Sequence, residues 1–320
     1  MKTLFHKKST ILLFIAIFLC SAAFAEEPVH ITALKGPTAM GLVQMMEEKA
    51  QDYSFAIEGS VDAITPKLVK QETDFAAIPA NLAAVLYQKT NGAIQVVAIN
   101  TLGVLYLVED GEQIHSFSNL RGKTICASGK GATPEYALNY LLMENGLVPG
   151  QDVTIEWKSE HSECLASLLA GSSTAALLPQ PFVTSAQQQQ STIRIALDLN
   201  EEWNRLPSVT ENGSCLITGV MVVRTAFAEQ HPETVRRFLR DYRDSAAFVN
   251  QETRKAARLI GKYNIIPEAV AEKALPYCAI TCIEGEALQT ALDGYLQVLY
   301  AQNPQAVGGQ LPDEAFYFKP

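Results

Sequence analysis

Residues 123–142, KTICASGKGATPEYALNYLL, run an apolar strand-like stretch into a turn holding Gly129 and Gly131 and then into an amphipathic helix. A strand feeding a helix through a glycine turn is one half of a βαβ unit. The same order continues downstream. A helix over 133–147 is followed by a strand over 152–159, a helix over 162–172, and a short apolar strand over 174–181 that Pro179 and Pro181 terminate. Upstream, 29–36 reads as a strand that stops at Gly36-Pro37-Thr38, 39–50 has helical periodicity, and 53–60 and 63–72 repeat the pair. A further strand over 74–81, ended by Pro79, leads into a helix over 82–90. Such alternation predicts an α/β fold in which mostly parallel strands are joined by helical crossovers.

The two stretches echo each other in kind, ITALKGPTAMGL against TICASGKGATPEYAL and DFAAIPANLA against TAALLPQPFV, without enough identity to be a sequence repeat. They predict two similar lobes, each a mostly parallel sheet flanked by helices, with loops at the carboxyl ends of the strands, where open α/β sheets take ligands. Two long β-rich runs, 93–110 and 215–224, read as the two crossings of a hinge. Beyond them the chain is helical. In 231–251, Pro232 stands at a helix start and Val235, Phe238, Leu239 and Tyr242 share one face. These helices are expected to pack back on the first lobe, giving a discontinuous lobe I of 26–105 plus 222–320 and a lobe II of 106–221. At 320 residues and 48% hydrophobic composition the chain can bury one large core or two medium ones.

Residues 1–25 place Lys2, Lys7 and Lys8 before an apolar run over 11–19 and close on Ala23-Phe24-Ala25. This is the pattern of a secretory signal peptide cut before Glu26, and the apolar run is short for a membrane span. A lipid anchor on Cys20 is the lesser alternative, because Leu19 stands where such signals want a small side chain. The formal net charge is −9, and removing the leader takes away three lysines and no acid. Nucleic acid is therefore not an expected partner. Five cysteines remain: Cys126, Cys164, Cys215, Cys278 and Cys282. The odd number leaves at least one unpaired within the chain. Cys278 and Cys282 read as a local disulfide or two buried thiols rather than a metal half-site, since no further ligands are near in sequence.

Taken together, the segments KGPTAMG, ETDFAAIPANLAAVLYQK, LRGKTICASGKGATPEYALNYLLMENGL, LLPQPF and FAEQHPETVRRFLRDYRDSAAFVN, in that order, resemble the substrate-binding proteins of ABC importers in the nitrate/sulfonate/taurine and thiamine-precursor group. The resemblance covers nearly the whole mature chain. It implies the type II periplasmic binding protein fold, a ligand held in the cleft between two closing lobes, and docking of the closed form on a membrane permease driven by a cytoplasmic ATPase. It implies a periplasmic monomer without cofactor or metal.

Position at strand ends nominates the cleft residues. From the first lobe these are Gly36, Pro37, Thr38, Ala39 and Met40, then Gly59 and Ser60, then Pro79, Ala80 and Asn81, with Asn100 and Thr101 where the lobes meet. Asn81 also suits a helix cap. From the second lobe they are Ser128, Gly129, Gly131, Ala132 and Thr133, then Glu160, then Pro179 and Gln180. The turn at 128–133 offers backbone N–H groups at a helix start, two hydroxyls, and glycines that allow close approach of a ligand. It is neither a dinucleotide fingerprint nor a P-loop, because GKGATP lacks the third glycine of the one and the G-x-x-x-x-G-K-[ST] spacing of the other. Lys130 reads equally well as a solvated side chain, and His161 as an exposed loop histidine. Trp203 is a candidate stacking plate for a flat ligand, with lobe packing as the alternative.

Two other function classes are weighed. Enzymes exist on this fold, including pyrimidine synthases and menaquinone-pathway proteins, but His30, His115, His161 and His231 are scattered without a nucleophile-and-base arrangement. A sensor would be expected to carry a signalling segment. The nominated loops hold few cations, which favours a neutral or weakly anionic organic ligand over a small, strongly charged anion.

Overall fold

A computed structural model describes residues 27–211 and 213–319. The leader, its cleavage site and Cys20 lie outside them. The chain begins β1 (Val29–Leu34), α1 (Pro37–Met40), α2 (Val43–Glu48), β2 (Tyr53–Glu58), α3 (Val61–Val69), β3 (Phe75–Pro79), α4 (Ala80–Lys89) and β4 (Ile94–Leu102). It continues with β5 (Leu105–Asp110), β6 (Thr124–Ser128), α5 (Thr133–Glu144), β7 (Thr154–Lys158), α6 (His161–Leu169), β8 (Ala175–Pro179), α7 (Phe182–Gln189) and β9 (Ile193–Asp198). Two short helices, α8 (Leu199–Asn204) and α9 (Pro207–Glu211), lead to β10 (Ile217–Arg224). The remainder is α10 (Thr225–Gln230), α11 (Pro232–Gln251), α12 (Thr253–Lys262), α13 (Glu268–Ala274), β11 (Ile280–Ile283) and α14 (Gly285–Gln302).

The strands form two sheets, one of order β11-β4-β10-β3-β1-β2 and one of order β7-β6-β8-β5-β9. Each has a parallel centre made by the strand–helix repeats: β2, β1 and β3 in the first sheet, β7, β6 and β8 in the second. The linking strands β4, β5 and β10, with the edge strands β9 and β11, pair antiparallel. Strands β3 (FAAIP) and β8 (AALLP) are buried along almost their whole length. Such unbroken apolar strands belong in a sheet covered by helices on both faces. Helix α11 supplies part of that cover with the stripe Val235, Phe238, Leu239 and Tyr242, all buried, and the Phe238 ring stacks on Phe75 at 4.1 Å between centroids.

Only one of the two expected β-crossings is a β-segment. The run 93–110 breaks at Gly103-Val104 into β4 of the first sheet and β5 of the second. A Cβ on Gly103 would stand 2.7 Å from Asn200 Oδ1, so glycine lets this link lie against the start of α8. The run 215–224 does not cross. Strand β10 sits inside the first sheet, hydrogen-bonded to β3 and β4, and the chain returns through α8 and α9 before reaching it. Both edges of an interior strand must be paired, so β10 belongs wholly to one sheet. The return lies ahead of residue 217, and residue 222 falls within the strand.

A large apolar cluster joins the two sheets. Trp203 on α8 is fully buried in it, 4.9 Å from the Tyr140 ring on α5 and 5.9 Å from the Tyr295 ring on α14. Trp203 is therefore a packing residue rather than a ligand plate, and its indole N–H points to Ser214 Oγ at 3.4 Å. Two hydrogen bonds also bridge the lobes: Thr133 Oγ1 with Tyr295 Oη at 2.8 Å, and Tyr106 Oη donating to Tyr277 O at 3.2 Å.

Candidate functional site

The carboxyl ends of β1 and β2 in the first lobe face those of β6, β7 and β8 in the second across a cavity of about 1020 Å³. Lys35, Gly36 and Gly59 line it from the first side, together with Gly261 and the segment Asn264, Ile265, Ile266, Pro267 and Val270 between and within α12 and α13. Ser128, Gly129, Ser159, Glu160, His161, Ser162, Pro181, Phe182 and Ser185 line it from the other.

The second wall is built around one pair. Ser128 ends β6, His161 opens α6, and Ser128 Oγ lies 2.5 Å from His161 Nδ1. The Phe182 ring is 5.2 Å from the imidazole. His161 is thus a half-buried helix residue on the cavity wall and not an exposed loop histidine. Burial lowers its pKa to about 4, against the opposing influence of Glu160. At neutral pH the ring is uncharged, so with one nitrogen engaged by Ser128 the other offers one donor or one acceptor.

Of the residues nominated at strand ends, Gly36, Gly59, Ser128, Gly129 and Glu160 line this cavity. Pro37, Ser60, Pro79 and Pro179 do not line it, and Ser60 is exposed at the start of α3. Ala39, Met40 and Ala80 are fully buried among apolar neighbours, so their side chains serve the core. Gln180 is also buried, and its Oε1 accepts from Thr184 N at 3.3 Å and Thr184 Oγ1 at 2.9 Å, fixing the start of α7. Thr133 is held by Tyr295 at the lobe junction.

The turn after β6 divides in two. Gly129, at φ 83°, lines the cavity, and a Cβ there would press on Pro134 Cγ at 2.8 Å. Lys130 and Gly131 face solvent, Ala132 is half-buried, and none of the three lines the cavity. Gly131 N donates to Glu135 Oε2 at 2.6 Å, which occupies the N–H group expected to meet a ligand. The glycine at 131 answers to its φ of 79°, since no heavy atom of the described residues lies within 4 Å of a Cβ built on it.

Thr38, Asn81, Asn100 and Thr101 are buried at the end of the first sheet. Asn100 Nδ2 donates to Thr38 O at 3.3 Å, and Asn81 Nδ2 donates to Ala306 O at 3.3 Å. A carbonyl partner fixes each amide with its nitrogen toward the backbone. Among the described residues, Asn100 Oδ1, Asn81 Oδ1 and Thr101 Oγ1 have no hydrogen-bond partner. Gly219 on β10 makes this packing possible, because a Cβ there would stand 2.5 Å from both Asn100 Oδ1 and Thr38 Cγ2.

Sequence reasoning missed Lys35, Phe182 and the whole 261–270 segment. The last follows no parallel strand of the repeat, and its one sequence signal is the apolar pair Ile265-Ile266 in a loop between two amphipathic helices. The five cysteines among the described residues are free thiols. Cys278 Sγ donates to Ala274 O at 3.3 Å and Cys282 Sγ contacts Glu284 Oε1 at 3.1 Å, so each faces its own acceptor and the local-disulfide alternative gives way to two thiols. Among the described residues no three His, Cys, Asp or Glu side chains gather to hold a metal ion, and no helix is long and apolar enough to cross a membrane.

This architecture is shared with solved structures. An ABC transporter protein from Parabacteroides distasonis superposes with a TM-score of 0.78 at 24% identity, covering 92% of this chain and 99% of that one. The periplasmic aliphatic sulphonate binding protein SsuA from Escherichia coli gives 0.72 at 16% identity over 92% and 93%. The periplasmic nitrate-binding protein NrtA from Synechocystis gives 0.58 at 13% identity over 82% and 74%. At these identities the likeness is one of fold. None of the curated proteins matches the chain. A family profile described as "ABC transporter, phosphonate, periplasmic substrate-binding protein" matches residues 40–267. That span includes β2 to β10 and most of the cavity lining, and it identifies the chain as a member of this family of periplasmic substrate-binding proteins, the solute-binding component of an ABC importer and not an enzyme.

Proposed function

We propose that the mature chain, cut before Glu26, acts as a soluble periplasmic monomer that closes its two lobes over a neutral or weakly anionic organic solute and delivers it to a permease powered by a cytoplasmic ATPase. The observation that carries the ligand reading is the charge of the cavity wall. Its ionised side chains are one cation, Lys35, and one anion, Glu160, while His161 is neutral and the remainder is hydroxyl, amide, glycine and apolar surface. A small, strongly charged anion would enter without net compensation there, whereas an organic body can bury carbon against Phe182, Ile265 and Ile266 and hydrogen-bond to Ser128 and His161.

Native mass spectrometry of protein purified from its own host, followed by identification of the released molecule, tests this directly. Thermal-shift titrations with methylphosphonate, ethanesulfonate and nitrate on one side and uncharged amides and pyrimidines on the other extend it. The expected result is a solute of low charge whose affinity falls at least about tenfold in Ser128→Ala and His161→Ala, since each removes a hydrogen bond in a dry site. Strong stabilisation by methylphosphonate or nitrate, undiminished in those variants, would overturn the ligand reading and leave the transport role intact.

A further inference from the structure

The β4–β5 crossing is pinned at both ends by one turn of the first lobe. Leu102 N, at the end of β4, donates to Ala279 O at 3.1 Å, and Tyr106 Oη, near the start of β5, donates to Tyr277 O at 3.2 Å. Leu102 before Gly103-Val104 and Tyr106 after it are thus tied to the same three residues, Tyr277-Cys278-Ala279. That turn is rooted in the first lobe. Cys278 is fully buried in a first-lobe core, Ile280 pairs with Thr101 on β4, and Ile280 O accepts from Asn250 Nδ2 at 2.9 Å. Ala279 stands at φ 45°, where an L side chain rarely sits, so these contacts hold the backbone against its own preference.

The two side-chain bonds already described between the lobes differ in what backs them. Tyr295, the partner of Thr133, belongs to the apolar cluster that joins both sheets, with its ring 5.9 Å from Trp203, so packing keeps that bond closed. Tyr106 belongs instead to a separate cluster within the second lobe, and Tyr277 to none of the clusters, its side chain being 55% exposed. The Tyr106–Tyr277 contact rests on a hydrogen bond without a shared apolar seam.

We propose that residues 277–279 are a clasp on the hinge and that Tyr106 is a positioning residue, whose hydroxyl fixes the angle at which the second lobe leaves the β4–β5 crossing. The clasp thereby sets the distance between the two walls of the cavity. The inference rests on the reading that a solute is held between the lobes, but neither Tyr106 nor the clasp lines the cavity. With the clasp shut, Ser128 and His161 on one wall and Ile265 on the other face the same space. With it open, the second lobe swings on Gly103-Val104 and the walls part. A clasp that holds the closed spacing beforehand lets a solute spend less of its binding energy on bringing the walls together.

The test uses the exported protein, unfolded and refolded to free it of small molecules, so its outcome does not depend on which solute binds. Tyr106→Phe removes one oxygen and leaves the ring in its packing. An ordinary hydrogen bond shifts such an equilibrium about fivefold, so hydrogen exchange at Leu102 N should run about fivefold faster than in the wild type. Small-angle scattering well below the melting temperature should give a larger radius of gyration. Tyr277→Ala should match the wild type in both measurements, because the carbonyl of residue 277 and not its ring accepts the bond. A merely structural hydroxyl would lower Tm without moving the radius, and that result would overturn the proposal. So would an unchanged Leu102 amide, or a Tyr277→Ala protein that opens as far as Tyr106→Phe. Failure of every solute to bind the wild type would count against capture between the lobes and leave both of these measurements standing.

Discussion

The two walls of the cleft grow from equivalent strand ends and present different chemistry. In the second lobe the ends of β6 and β7 stay at the cavity, where Ser128, Glu160 and His161 form its polar side. In the first lobe Thr38, Asn81, Asn100 and Thr101 are turned inward and buried, and Ile265, Ile266 and Pro267 supply an apolar side in their place. The later course of the chain is the cause. Strand β10, the helices from α10 onward and the tail, whose Phe318 N bonds Val96 O at 3.0 Å, are laid on the first sheet after its βα units. The later helices meet the second lobe at its junction with the first, through Tyr295 on Thr133 and Trp203. Two copies of one local order need not expose the same residues, because exposure is decided by the elements packed over them.

The contrast can be broken most severely where the lobes share a core. Trp203→Ala removes a fully buried ring between Tyr140 and Tyr295 and should cost about 3–5 kcal/mol in urea denaturation. A loss below about 1 kcal/mol would mean that the two lobes are not joined through this cluster.

Two glycines sharpen the comparison. Gly219→Val in the first lobe should cost about 2–3 kcal/mol, since the new side chain overlaps Asn100 Oδ1 and Thr38 Cγ2 in packed surroundings. Gly131→Val in the second has free space and pays only for a positive φ, about 1–2 kcal/mol, with solute affinity retained because residue 131 lies off the cavity. Chemical denaturation ranks the two, and an equal cost would mean that crowding at Gly219 adds nothing beyond the backbone strain at Gly131.

The cavity's pH response comes from His161 on the second wall. The unfolded chain takes up the His161 proton near pH 6.5 and the folded chain only near 4, so stability falls as pH drops through that window. The loss should reach about 3 kcal/mol by pH 4, and His161→Gln should lack it when both proteins are melted across pH 4–7. Parallel curves for the two proteins would show that the imidazole is solvated rather than held against Ser128 and Phe182. The smallest effect belongs to Lys130→Ala, within about 0.5 kcal/mol and without change in binding, because the ammonium points into water beside the turn.

Period and punctuation in the sequence carried the strand–helix order on both sides of residues 123–142, the apolar stripe of α11, and the placing of Gly36, Gly59, Ser128, Gly129 and Glu160 at strand ends that face one cavity. These are local properties: glycine and proline fix where a strand stops, and the 3.6-residue repeat fixes which face of a helix is apolar. Tertiary structure alone decided that Trp203 is core, that β10 returns inside the first sheet, that Gln180 and Thr133 are bound by protein partners, and that residues 264–270 complete the site. Each depends on contacts between segments far apart in the chain, as when Ile265 meets the same cavity as Ser128, and no window of sequence contains both partners of such a contact.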